Sequence, residues 1–195
     1  MEGATALERP PGAPSERTPV LLVGTVVWLA SELMFFSGLF AAYFTLRATA
    51  EEWPPHGVEL DAVVSGIFTA LLVLSSGTMQ LAVRALARDH RRRFRVFIVL
   101  TVLLAVVFLA NQGREWAEAG FGIDSHAYGS AFFVMTGFHG LHVLGGVLAM
   151  VLLLGRSAGA HFGAAEVPAV EVVSYYWHFV DVVWLGLWAT LFLLR

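Results

Sequence analysis

Residues 128–154 read YGSAFFVMTGFHGLHVLGGVLAMVLLL, a run apolar enough to cross a bilayer that nevertheless carries His139 and His142 near its middle. A spanning helix needs about 20 predominantly apolar residues, and this run exceeds that. At a spacing of three, the two imidazoles share one helix face, where Gly137, Gly140, Gly145 and Gly146 leave room for a neighbouring backbone. The hydrocarbon core supplies no water, so that face is expected to point into protein.

Composition extends the reading to the whole chain. Its 195 residues are 57% hydrophobic and 14% charged, with mean hydropathy +0.71. Soluble domains carry roughly 25% charged residues, so this is the composition of a membrane protein. The net charge of -3 and pI near 6.1 say little, because in such a chain placement of charge matters more than its sum. The absence of cysteine removes disulfides, thiolate metal sites, thioether-linked haem and cysteine nucleophiles. No basic n-region precedes the first apolar run, which is too long for a signal h-region, so that span is expected to be retained.

Five spans follow in order. Residues 1–19, with four prolines and mixed charges, are expected to form a disordered cytoplasmic tail. The five-helix domain is expected over 20–195, with helices at about 20–46, 61–86, 94–116, 128–154 and 169–194. Pro54 and Pro55 forbid helix in the first connection. Gly66 and Ala70 in the second span have the small-xxx-small spacing that brings helices together. Six arginines (84, 88, 91, 92, 93 and 95) face a single aspartate between positions 84 and 95, half of the twelve basic residues. Short basic loops stay in the cytoplasm, which predicts a cytoplasmic N-terminus and an external C-terminus. Arg88, Arg91, Arg92 and Arg93 are therefore candidates for contact with anionic lipid; nucleic acid is disfavoured, since no domain surrounds the cluster.

Glu32, His139, His142, His178 and Asp181 all fall within about two turns of the bilayer centre. An ionised group there costs roughly 2.5–3.5 kcal/mol, so each is expected to be paired, protonated or hydrated. His178 and Asp181, three apart, are expected to hydrogen-bond each other. Several readings are open. A two-metal site lacks the Glu-x-x-His pairs such bundles use, and haem ligation by two histidines competes with simple packing on aromatic and glycine faces. A proton path through Glu32 is chemically feasible. A free-standing proton or ion carrier would use the same residue. The economical reading is a structural polar network of His139, His142, His178 and Asp181 that holds the helices in register, with no catalytic residue and no metal. Nothing in the chain resembles a nucleophile and base pair or a phosphate loop.

Residues 127–143 (AYGSAFFVMTGFHGLHV) and 176–185 (YWHFVDVVWL), together with Ser31-Glu32, Trp53-Pro-Pro-His-Gly57 and Gln112 to Trp116, closely resemble subunit III of haem-copper cytochrome c oxidases, in the short five-helix form of actinobacteria. The resemblance covers all five spans. It departs from longer relatives in lacking their first two helices, and in having Met79, Gln80, Leu81 and Ala82 where many carry Trp-Ala-His-His. It implies a multi-pass subunit of an aerobic, aa3-type terminal oxidase in the bacterial cell membrane. Haem and copper would be held by partner subunits, with none in this chain. It also implies packing on subunit I, association with subunit II, bound phospholipid and support of proton uptake, with a respiratory supercomplex as a further possible assembly. Glu32 corresponds to the family's lipid-cleft carboxylate, and Arg156 and Trp184 to lipid-contacting positions. Quinol oxidase subunit III and a nitric oxide reductase accessory subunit are close alternatives.

Overall fold

The computed structural model describes residues 17–159 and 162–194. They form five long helices, α1 Arg17–Thr49, α2 Ala62–Ala87, α3 Arg91–Glu118, α4 Ala127–Ser157 and α5 Val167–Trp188, with no strand among the described residues. All five are long and apolar enough to cross a membrane. A single 3-10 turn, Ala164–Glu166, leads into α5, and a π-helical turn, Ala189–Leu193, follows it. Most of the tail expected over 1–19 lies outside the described residues, but positions 17–19 already belong to α1.

The helices outrun the apolar runs by up to a turn at several ends. Arg47 lies in the last turn of α1, Arg91, Arg92 and Arg93 in the first turn of α3, and Arg156 in the last turn of α4. The backbone ladder continues past the hydrocarbon boundary because arginine is a good helix former. The basic cluster is thus carried on two helix ends more than in a loop. Local chemistry sets the starts. Asp61 caps α2, its carboxylate accepting from the Val63 and Val64 N–H groups at 2.9 Å. His126 Nδ1 accepts from the Gly129 N–H at 2.8 Å to open α4, and a proline occupies the first turn of α5.

In the bundle, α2 packs on α3, α3 on α4, α4 on α5 and α5 on α2, closing a ring; α1 lies outside it against α4 and α5. The glycines work differently from the sequence expectation. A Cβ on Gly146 would stand 2.6 Å from the Trp177 ring, and one on Gly145 would meet the Tyr176 hydroxyl at 3.3 Å. On α2, a Cβ at Gly66 would meet Trp188 at 3.2 Å, while Ala70 is exposed. Space freed by the small residues is filled by aromatic rings of α5 rather than by a second backbone. Rings bury more surface per residue and can carry an N–H or O–H to a partner, which explains the substitution.

That polar handle also completes the end of α5. The π-helical turn closes with Leu194 N–H donating to the Ala189 carbonyl at 2.9 Å. Carbonyls in a last helical turn lack intrahelical donors. Tyr43 OH donates to the Thr190 carbonyl at 3.1 Å and Tyr128 OH to that of Leu191 at 2.9 Å, while Trp53 Nε1 donates to Tyr43 OH at 2.9 Å. Three segments are thereby tied at one end of the bundle.

Candidate functional site

The polar side chains expected at mid-depth separate into two clusters and one isolated imidazole. The first joins α1 to α4. Glu32 Oε1 accepts from Trp28 Nε1 at 3.1 Å, and Glu32 Oε2 lies 3.1 Å from His142 Nε2. The His142 and Glu32 side chains are 17% and 23% exposed, so this pair sits at the rim of the bundle. Trp28 stacks on Tyr176 at 5.1 Å, and Tyr176 OH donates to the His142 carbonyl at 2.8 Å.

The neighbours of His142 set where its first hydrogen sits. His142 Nδ1 lies 2.7 Å from the Phe138 carbonyl, which only accepts, so Nδ1 carries a hydrogen. A hydrogen on either the imidazole or the carboxyl would complete the contact from Nε2 to Glu32.

The second cluster joins α2 to α5. His178 and Asp181 were expected to bond directly; instead Ser76 stands between them. Its hydroxyl lies 2.5 Å from Asp181 Oδ2 and 2.8 Å from His178 Nδ1, and His178 Nε2 lies 3.5 Å from Gln80 Oε1. One hydroxyl hydrogen cannot serve both neighbours, so the string has two polarities. In one, Nδ1–H donates to Ser76, which donates to a carboxylate. In the other, a carboxylic acid donates to Ser76, Ser76 donates to Nδ1, and Nε2–H turns to Gln80 Oε1. The second polarity gives that carbonyl oxygen its donor. On either side of the string, Trp177 Nε1 donates to Ser75 Oγ and Trp184 Nε1 to Thr69 Oγ1, both at 2.9 Å. These bonds make an antiparallel seam of α2 against α5.

The geometry departs from two of the sequence expectations. Trp184, assigned to lipid contact, is 1% exposed and lies edge-on to Phe108 at 4.8 Å, so no lipid can reach its ring. Its indole N–H requires a partner that acyl chains lack, and Thr69 supplies it. His139 stands outside any polar network. It is fully buried, stacks on Trp184 at 4.7 Å and meets Phe108 edge-on at 5.9 Å, with no hydrogen bond to either nitrogen among the described residues. It serves there as an aromatic plate. The two histidines of α4 therefore point at different neighbours, His139 toward α3 and α5, His142 toward α1.

The charged ends also sort themselves. Arg156 Nη2 lies 3.0 Å from Glu166 Oε2, a partner not foreseen from the sequence. Arg91 faces Asp89 at 3.6 Å. Arg95 donates to Ser157 through both Oγ and the carbonyl, placing a cation on the end of α4 where the helix dipole is negative. The sequence reading missed the bonding roles of Ser75, Ser76 and Thr69, for which hydroxyls in an apolar run were the available signal. Among the described residues no three His, Asp or Glu side chains converge as a metal site requires.

Comparison with known proteins agrees with the arrangement. A family model described as "Cytochrome c oxidase subunit III" matches residues 17–194. The chain is 48% identical over 183 residues to a probable cytochrome c oxidase subunit 3 of Nocardia farcinica, covering 92% of this chain and 90% of that one. The corresponding protein of Mycobacterium tuberculosis is 45% identical over the same length and shares, and the cytochrome c oxidase subunit 3 of Thermostichus vulcanus is 38% identical over 174 residues, 89% of this chain and 87% of its own. With a single family model spanning every helix of a five-span bacterial membrane bundle, the chain belongs to the cytochrome c oxidase subunit III family.

Proposed function

We propose that this chain is the non-catalytic third subunit of an aa3-type cytochrome c oxidase, packing on a haem-bearing subunit I beside subunit II, with its N-terminus in the cytoplasm. The observation that carries the reading is the family match across residues 17–194. In this role the chain steadies the catalytic subunit, binds structural phospholipid and supports proton uptake during electron transfer from cytochrome c to oxygen. Haem and copper reside in the partners. Glu32 with His142 is the group suited to the proton role, since an acid and an imidazole meet at 3.1 Å at the rim of the bundle. Arg156, two-thirds exposed beside Glu166, is suited to a lipid phosphate, as are Arg88 and Arg93 and, more weakly, the partnered Arg91.

The exposed side of α1 supports a partner or lipid on that face. Val20, Val23, Val27 and Met34 are each more than 60% exposed. Affinity purification through a tag on this chain tests the assembly. Haem and a subunit bearing a dinuclear copper domain should co-purify, and oxygen consumption should be absent from the chain alone. A chain that purifies alone, stable and able to carry protons across a vesicle membrane, would overturn the reading.

A further inference from the structure

Five of the six arginines of the basic cluster fall into two groups. Arg91 is engaged with Asp89 and Arg95 with Ser157, both directed toward the end of α4 and the segment after it. Arg84 and Arg88, from the end of α2, instead converge with His90 and Arg93, from the start of α3, on one cavity of about 350 Å³. No side-chain hydrogen bond or ion pair engages these four among the described residues. Leu81 and Phe97 line the same cavity.

We infer that this corner binds one anionic phospholipid, its phosphate among Arg84, Arg88 and Arg93 and the start of an acyl chain on Leu81 and Phe97. The inference deepens the lipid part of the reading above by naming a site and a headgroup charge. Three guanidinium groups with no internal counter-charge match a phosphate. His90 precedes α3 without any side-chain cap, so the first-turn N–H groups of a 28-residue helix add their dipole to the same corner. Depth selects lipid over a soluble anion. Leu81 lies six residues inside the end of α2 and Phe97 six inside the start of α3, each about 9 Å toward the hydrocarbon. A soluble phosphate would leave that apolar floor uncovered. Asp89, between Arg88 and His90 in the chain, is directed at Arg91.

Native mass spectrometry of the full chain, purified with whatever partner accompanies it and then delipidated, tests the site. Phosphatidylglycerol is added in one arm, phosphatidylcholine in a second, and phosphatidylglycerol with millimolar inorganic phosphate in a third. One phosphatidylglycerol is expected to bind in preference to phosphatidylcholine and to resist inorganic phosphate. Arg93→Gln should weaken it about fivefold and the Arg84→Gln, Arg88→Gln, Arg93→Gln triple variant about a hundredfold, whereas Arg92→Gln should leave it nearly unchanged. If the triple variant does not fold, Arg93→Gln against Arg92→Gln decides alone. Equal binding of the two lipids, equal loss in the two single variants, or displacement by inorganic phosphate overturns the inference. Absence of co-purifying haem would instead overturn the oxidase reading and leave the lipid measurement intact.

Discussion

Two helices of this bundle each carry a buried or half-buried carboxylate facing a histidine, yet they live in different surroundings. In the most apolar stretch of α1, 11% of residues are buried; in that of α5, 56% are. Glu32 meets His142 across the α1–α4 rim, open on one side, through a direct contact of 3.1 Å. Asp181 meets His178 only through Ser76, inside the α2–α5 seam, flanked by two fully enclosed tryptophans. The interior cluster is thus enclosed by fully buried rings, whereas the rim pair, with Phe36 edge-on to His142 at 5.0 Å and Trp28 stacked on Tyr176, keeps part of its surface open.

The contrast is broken most severely at the tryptophans. Trp177→Ala or Trp184→Ala is expected to cost about 3–5 kcal/mol, through lost ring packing and a stranded Ser75 or Thr69 hydroxyl. Trp28→Ala on the rim should cost clearly less, since that ring is 44% exposed. Thermal unfolding of the three variants in the same detergent checks the order; equal losses would erase the distinction between seam and rim. Gly146→Val should resemble the tryptophan variants, because its side chain collides with Trp177.

A smaller effect separates the hydroxyl from the acid. Ser76→Ala removes the bridge and leaves the buried Asp181 carboxyl and the half-buried His178 Nδ1 without it, for about 1–3 kcal/mol. Asp181→Asn keeps the shape and offers an N–H to Ser76, so it should stay within about 1 kcal/mol of the parent if the carboxyl is the donor. Denaturant titration of both variants sharpens the assignment, and an Asp181→Asn loss exceeding that of Ser76→Ala would select the carboxylate polarity.

At the rim the expected stability change is modest and the spectroscopic one decisive. Glu32→Gln should alter unfolding by no more than about 1 kcal/mol, yet remove the acidic group that faces His142. Infrared difference spectra in light and heavy water check this: an exchangeable signal should vanish in Glu32→Gln and persist in Asp181→Asn. The smallest effect belongs to Arg156→Gln, within about 1 kcal/mol, as for other exposed ion pairs.

Much of this architecture is legible from residue types. The five spans follow from apolar length, because a bilayer imposes a minimum run and the arginines around Arg91 interrupt it. Even Glu32, Asp181 and the histidines announce themselves, since charge in an oily run demands compensation. Their partners were less accessible. Helical spacing placed His178 and Asp181 together on one face, correctly, but the hydroxyl between them comes from a helix 102 residues earlier in the chain.

What the sequence determined by itself was therefore the solvent, the number of crossings and the residues too polar to be left alone, for each depends only on local composition and transfer energy. The tertiary structure decided which of those residues found each other. His139 ended between rings, His142 on Glu32, Trp184 on Thr69 and away from lipid. Such choices depend on how helices rotate about their axes and which neighbours they meet. Packing of whole faces sets that rotation, and no single residue along the chain carries it.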